Sequence, residues 1–587
     1  MKTILHFIKP YKRLCFFTIL FIIFDILGAL YIPTITADMI NIGVGSKDIN
    51  YILQKGLMML GATIIAGIGA LVGSYLASKL ASNVGRDIRN ALYQKSLKFS
   101  HFDFKQFGTG SMITRTLNDV NIIQQSFVYF IQMVIPVPIM CIAGIVMAFM
   151  IDKIMGFLLI GITIIILITA FFITRKASSI FAKLQKFLDK MNVILRENIT
   201  GVRVIRAFNK EPYEKERMKK SFEDYAESAI KANKLFAGLD SLSFFAINIC
   251  IVAILWIGGN RVGAGFMEIG DITAVTEYAI LILFYLIMAQ MVIILLPRAS
   301  VCLERITEVL DAEPEIHDGN RKIVEADPNN PDIISFKNMT FRFADADEDT
   351  LCNLKFSCKR GQTTAIIGST GSGKSTIAKL IMRFHDATKG SILLNGQDVR
   401  SISQKDLRDH VSYVPQQAWL FSGTIADNLR YGNENATEGE MYHALQVAQA
   451  GFVEELEDGL NAKVAQGGTN FSGGQKQRLA IARALVKKAD LYIFDDSFSA
   501  LDFKTDAALR KALAKETKDS AVLIIAQRIN TILNADQIIV LNDGKVVGMG
   551  THQELMENCE IYQEIAKSQL KGDVNNVKEK QQEERTI

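Results

Sequence analysis

The sequence predicts a multidomain membrane protein: an all-α domain of six membrane-spanning helices, followed by an α/β domain built around a phosphate-binding loop. Three observations carry this reading. Long uncharged apolar runs crowd the first half, short apolar runs alternate with amphipathic stretches in the second, and one segment of the second half fits G-x-x-x-x-G-K-[ST] in full. Composition agrees. Of 587 residues, 49% are apolar and 21% charged, with a mean hydropathy of +0.20, which is too apolar for a long soluble enzyme and excludes a disordered or collagen-like chain. A formal net charge of +4 is too small to imply nucleic-acid binding. The cysteines show no C-x-x-C and no Cys/His spacing that suggests zinc, so they read as reduced fillers of apolar space.

The spans come first. Residues 56–78, 120–151, 154–174, 241–260 and 278–297 carry no charge, and residues 14–37 are broken only by Asp25. At about 1.5 Å per residue, roughly 20 residues cross the ~30 Å hydrocarbon core, and each run is at least that long. The first run is longer than a signal-peptide core and lacks a clean small-residue cleavage site, so it is expected to remain in the protein. Lys2, Lys9, Lys12 and Arg13 precede it, and the stretches 79–119 and 175–240 are rich in Lys and Arg. The opposite loops carry only Lys47, Lys55, Lys153 and Arg261, so the positive-inside bias places both termini in the cytoplasm of a multi-pass cell-membrane protein. The two inner connections are long and charged, with few Gly or Pro, and read as helices running on beyond the bilayer. Pro136, Pro138 and Pro297 are expected to mark kinks.

Residues 1–309 form the transmembrane domain on this reading. Residues 310–331 are polar with three prolines and read as a linker. From 332 to 570, runs such as 364–367, 521–525 and 537–541 alternate with helical stretches, giving an α/β domain. Residues 571–587 are charged, lack apolar periodicity and are expected to be disordered.

The chemistry lies in the second domain. Gly368, Ser369, Thr370, Gly371, Ser372, Gly373, Lys374 and Ser375 make the phosphate-binding motif, after a β-like run and before a helical run that starts at Thr376. Its glycines let backbone N–H groups wrap phosphate oxygens at the positive end of a helix. Lys374 should contact the β- and γ-phosphates, and Ser375 should ligate Mg²⁺. Later, Leu491-Tyr-Ile-Phe-Asp495 is four apolar residues and an acid: a buried strand that delivers the Asp495 carboxylate beside the loop, to hold Mg²⁺. Between them, Ser472, Gly473 and Gly474 at a helix start make a second anion site. One nucleotide does not need two such sites. Two facing domains would use both, each loop completed by the other domain's Ser-Gly-Gly.

With these residues in place, nearly the whole chain resembles the ABC transporter family, specifically its exporter-type half-transporters. The signature is Phe471-Ser-Gly-Gly-Gln475, and the Walker B strand ends at Asp495. The resemblance implies ATP and Mg²⁺ as ligands, with Thr376 and Gln475 joining the nucleotide-binding set. It makes Gln416, in Tyr413-Val-Pro-Gln416, a Mg²⁺-sensing residue linked to the membrane domain. It makes Ser499-Ala-Leu-Asp502 a D-loop, and Phe343 the aromatic that stacks on adenine, where Tyr is usual. Short coupling helices are implied near residues 107–115 and 204–210, with Phe208 as a docking aromatic or, alternatively, packed within its own loop.

The sequence departs from the family where hydrolysis occurs. The family's catalytic Glu position holds Asp496, one methylene shorter, which should polarise the attacking water poorly. The switch His position holds Gln527, which can hydrogen-bond a γ-phosphate but cannot become cationic. Gln466 stands where exporters usually carry Glu. Both catalytic changes fall in one centre, and together they imply a non-consensus ATP site. The signature is intact, so the expected assembly is a heterodimer in a lipid bilayer. This chain would bind ATP tightly and hydrolyse it slowly, and Ser472, Gly473 and Gly474 would complete the active site of a second half-transporter. The expected activity is ATP-driven export of small amphiphilic or drug-like substrates, in a protein that looks bacterial. Two alternatives stay open: a homodimeric exporter that works with Asp496, and an ATP-binding regulatory membrane protein with little hydrolysis. Asp25, a charge at membrane depth, either binds cationic cargo or is protonated or paired within the protein.

Overall fold

The computed structural model describes residues 2–293, 295–323 and 331–569. It divides into two compact units, one formed by Met1–Lys98 and Phe104–Glu313, the other by Phe99–Asp103 and Pro314–Ile587. Residues 324–330 of the expected linker 310–331 and the whole tail 571–587 lie outside the described residues.

Among the described residues, six helices of the N-terminal unit are long and apolar enough to cross a membrane: Thr3–Val44, Ile49–Ser96, Thr109–Ile151, Lys153–Phe172, Ser241–Gly263 and Ile269–Ala289. Each overlaps one of the six apolar runs, the last starting ahead of its run at Ile269. The charged connections are helical as expected: single helices run over Ile49–Ser96, Lys153–Thr200 and Glu211–Gly263. Each of the first two starts on an aspartate cap. Asp48 accepts from the N–H groups of Asn50 and Tyr51, and Asp152 from those of Ile154 and Met155. Asp152 also takes Arg261 Nη2 at 2.5 Å, so the tight turn between the third and fourth spans is tied to the end of the fifth.

The third span is less regular than its uncharged run suggests. A wide turn at Phe130–Val134 precedes a helix that restarts at Pro136. Proline has no N–H to donate, so the ladder widens before it and Pro136 is tolerated in the first turn. The implied coupling segments also shift. The first is two short helices, His101–Phe107 and Thr109–Thr114, parted by Gly108 at φ +76°. The second is Val202–Ala207, ended by Asn209 at φ +52°. Helix Leu295–Asp311 runs into the expected linker, and its Arg305 and Glu308 bind the first inner connection: Arg115 Nη1 reaches the Arg305 carbonyl at 2.6 Å and Glu308 at 2.8 Å.

The second unit is α/β. Its larger sheet has the order Lys545–Gly550, Gln537–Asn542, Thr363–Gly368, Ala521–Ile525, Leu491–Asp495, Val411–Val414, parallel except at the Lys545–Gly550 edge. A parallel strand is covered on both faces, and the core shows it: Ala365 and Ile367 enter one apolar cluster and Ile366 the other. A second sheet, with Asp332–Phe341 between Leu351–Lys359 and Lys389–Leu394, carries the segment leading to Phe343.

Candidate functional site

The candidate residues gather where open parallel sheets bind ligands, outside the carboxyl ends of the strands. Gly368, Asp495 and Ile525 end three adjacent strands, and Val414 ends a fourth. The loops that follow carry the phosphate motif, Asp496, Gln527 and Gln416.

The loop from Gly368 turns through Gly371 at φ +88° and Gly373 at φ +92° into helix Lys374–Ile381. A Cβ at Gly373 would lie 2.6 Å from the Leu351 side chain, so space as well as φ demands glycine there. Lys374 Nζ donates to the Gly368 and Ser369 carbonyls at 2.9 and 2.7 Å, placing its charge inside the curl of the loop. Burial lowers its pKa, against the opposing charges of Asp496 and Asp495. The Ser372 N–H donates to the Ser369 carbonyl at 3.2 Å, and the Thr376 N–H to that of Gly373 at 3.1 Å. Thr370 lies in the same turn.

Ser375 Oγ donates to Asp495 Oδ1 at 2.8 Å. Two hard oxygen donors side by side fit Mg²⁺, and this pair is the natural ligand set. Asp495 Oδ2 also accepts from Tyr413 Oη at 3.3 Å. No motif singles out Tyr413, whose strand lies beside that of Asp495. Burial and the charge of Asp495 push the Tyr413 phenol far above its ordinary range, so it stays a donor.

Asp496 follows at φ +49°, in the left-handed region that few side chains occupy. Its Oδ2 accepts from two amides, Gln416 Nε2 at 3.1 Å and Gln527 Nε2 at 2.8 Å. The two departures from the family pattern therefore touch each other. Gln527 is fixed from behind, since Gln569 donates to its carbonyl at 2.7 Å.

Burial raises the pKa of both Asp495 and Asp496.

The signature is built as a helix start. Ser472 caps helix Gly473–Val486: its Oγ accepts the Gln475 N–H at 3.3 Å, and its own N–H reaches Gln475 Oε1 at 2.9 Å. Gln475 thus spends its carbonyl on the cap. Gly473 and Gly474 form the first turn and leave its N–H groups bare of side chains. Asp502 caps the helix after the D-loop by accepting the Thr505 N–H at 3.0 Å. Phe343 is half-buried, edge-on to Phe341 at 4.8 Å and to His385 at 5.3 Å. Gln466 begins the turn Gln466–Gly468, where Trp419 packs against Gly467.

Phe208 and Asp25 belong to the N-terminal unit. Phe208 follows the helix Val202–Ala207 and is 71% exposed, so it does not pack within its own loop. Asp25 sits half-buried in helix Lys12–Asp38, with its backbone so near Gly69 that a Cβ there would come within 2.7 Å of its N–H nitrogen.

The comparisons with known proteins follow this division. The family described as the ABC transporter transmembrane region matches residues 15–287, and the family described as ABC transporter matches residues 351–499. An uncharacterized ABC transporter ATP-binding protein of Mycobacterium tuberculosis is 39% identical over 578 residues, covering 96% of this chain and 97% of that protein. A protein named for export ATP-binding and permease function in Rickettsia typhi is 30% identical over 554 residues, covering 92% and 94%. Among solved structures, a bacterial Atm1-family ABC exporter with ATP bound shares the fold at a TM-score of 0.81 and 24% identity, over 95% of this chain and 98% of that one.

Proposed function

The chain belongs to the ABC transporter family as a multi-pass membrane protein with an ATP-hydrolase domain, and from that premise we propose that it is one subunit of a heterodimeric exporter whose own ATP site holds nucleotide and turns it over slowly. The observation that carries the proposal is the Asp496 carboxylate, which accepts from Gln416 at 3.1 Å and Gln527 at 2.8 Å. A general base must reach the attacking water. Asp496 is short, its backbone is set at φ +49°, and one oxygen already accepts from two amide donors, which leaves it less free to orient a water. Gln527 offers the γ-phosphate a neutral donor only.

The rest of the site suits tight binding. Loop N–H groups and Lys374 cradle the phosphates, Phe343 receives the adenine, and Ser375, Asp495 and the carbonyl end of Gln416 would hold Mg²⁺. That ion, when bound, would neutralise charge on the phosphates. Ser472, Gly473 and Gly474 present a helix start to the nucleotide of a second half-transporter, which supplies the effective base and the cationic switch. ATP held at both sites favours the closed pair by differential affinity, and hydrolysis at the competent site removes that bias. Phe208, exposed on its short loop, is the docking aromatic that passes closure to the spans. The export direction follows the names of relatives, and the cargo class, amphiphilic or drug-like molecules, is what the resemblance to exporter-type half-transporters implies. Asp25 is read as part of helix packing rather than as a cargo ligand.

Capturing the chain from its native membrane and weighing the intact complex tests this. The expected result is an equimolar second half-transporter with Glu after its Walker B Asp and a switch His. A pure homodimer overturns it.

A further inference from the structure

A buried polar cluster lies behind the aromatic expected to stack on adenine, and the nucleotide chemistry makes no use of it. His385 is 4% exposed, with Phe343 edge-on at 5.3 Å and Phe341 tilted at 5.5 Å. Its Nδ1 lies 4.0 Å from Glu315 Oε2. That oxygen accepts Ser100 Oγ at 2.9 Å. Ser100 Oγ in turn accepts the Asp103 N–H at 3.2 Å, and Asp103 Oδ2 accepts the N–H groups of Ser100 at 2.8 Å and Glu315 at 3.4 Å. Ser100 and Asp103 are both buried.

The turn that carries His385 is itself fixed. Arg383, 3% exposed, donates to Asp386 Oδ1 at 2.9 Å, to the Ile402 carbonyl at 3.2 Å and to the His317 carbonyl at 2.7 Å. Burying this many polar groups costs free energy unless they are matched, so these hydrogen bonds tie the three segments to one another. An apolar side chain at 385 would fill the space against the two phenyl rings, whereas only a polar ring also addresses Glu315. The cluster ends on Phe99–Asp103, the one segment of the first inner connection that belongs to the C-terminal unit, and the chain on either side of it belongs to the N-terminal unit.

We propose that His385 is a positioning residue that passes adenine stacking on Phe343 to the Phe99–Asp103 segment through Glu315 and Ser100. Stacking orders the half-buried Phe343 ring. The edge contact then fixes the imidazole, and the imidazole and Glu315 draw together over their 4.0 Å gap, which tightens Ser100 against Asp103. Coupling of this kind travels through packed rings and hydrogen bonds that have two discrete arrangements. The inference rests on the proposed stacking at Phe343.

The test uses the assembled transporter in lipid nanodiscs. Hydrogen exchange is read at residues 99–103 with and without saturating Mg-ATP, and photolabelling of this chain by 8-azido-ATP reads occupancy of its own site. ATP is expected to slow exchange at 99–103 by about threefold or more in the wild type. His385→Phe, which keeps a ring in the pocket, should abolish the slowing. Glu315→Gln, isosteric and remote from nucleotide, should abolish it too while labelling is retained. Phe343→Ala should weaken labelling about tenfold through lost stacking. Slowing that persists in both His385→Phe and Glu315→Gln overturns the relay while the stacking stands. Absence of slowing in the wild type also overturns the relay. Wild-type labelling of Phe343→Ala overturns the stacking and the relay together.

Discussion

Gly473→Asp in this chain is expected to remove nearly all ATP turnover by the assembled transporter while leaving the chain folded. Nothing within 4 Å meets a Cβ built at Gly473, so the added side chain has room inside its own domain. It would stand in the first turn of helix Gly473–Val486, where a negative charge is favourable to the helix by a few tenths to about 1 kcal/mol. The substitution is therefore neutral or stabilising for the subunit alone. The damage falls on whatever the helix start faces. A carboxylate placed against an incoming γ-phosphate replaces bare N–H donors with like charge, and losing such a donor costs on the order of 100- to 1,000-fold in rate. Ser472→Ala is less clean, because it also removes the cap, at about 1 kcal/mol of helix stability. Steady-state ATPase of purified complexes, with thermal melting as the folding control, checks the expectation. A Gly473→Asp complex that melts normally and hydrolyses ATP at the wild-type rate shows that this signature completes no active site.

Most of what positions the site was legible in the sequence, for physical reasons that differ by element. The strand run 521–525 needed no correction, because a fully buried parallel strand must be continuously apolar, and Ser520 marks its start. The phosphate loop was legible because a backbone that curls around phosphate requires glycine at fixed places, and Gly371 and Gly373 do adopt positive φ. The long inner helices followed from a high charge content with few Gly or Pro. The break in the third span was half visible: Pro136 announced a kink, but the wide turn lies upstream, in a stretch of ordinary apolar residues. Side-chain partnerships between distant positions were not legible at all. Asp496 and Gln527 were each visible as departures, yet their mutual hydrogen bond depends on two strands ending side by side. The cluster joining Ser100, Glu315 and His385 draws on three segments far apart in the chain, and none of them carries a local pattern.

Lys374→Ala is expected to separate nucleotide binding at this chain's own site from turnover by the complex. Lys374 is the one side-chain cation in the curl of the loop, and its ammonium already sits against the Gly368 and Ser369 carbonyls. Hydrogen bonds from a charged donor contribute about 1.5–3 kcal/mol each, so its loss should weaken own-site ATP affinity by roughly 10- to 150-fold. The fold should survive. Burial already lowers the pKa of this lysine, a sign that its charge is held at a cost when no phosphate is present. Removing it spares that desolvation and gives up two bonds to loop carbonyls. Turnover is where the readings diverge. If hydrolysis occurs mainly at the partner's loop, completed by Ser472, Gly473 and Gly474, the Lys374→Ala complex keeps a substantial part of its ATPase at saturating ATP, and the remaining fall reflects weaker closure. If two copies of this chain work as a pair through Asp496, both loops carry the substitution and no competent site is left. Paired measurements on one preparation, 8-azido-ATP labelling of this chain and steady-state ATPase, place the result. Weak labelling with ATPase retained supports the asymmetric pair; loss of both sinks it.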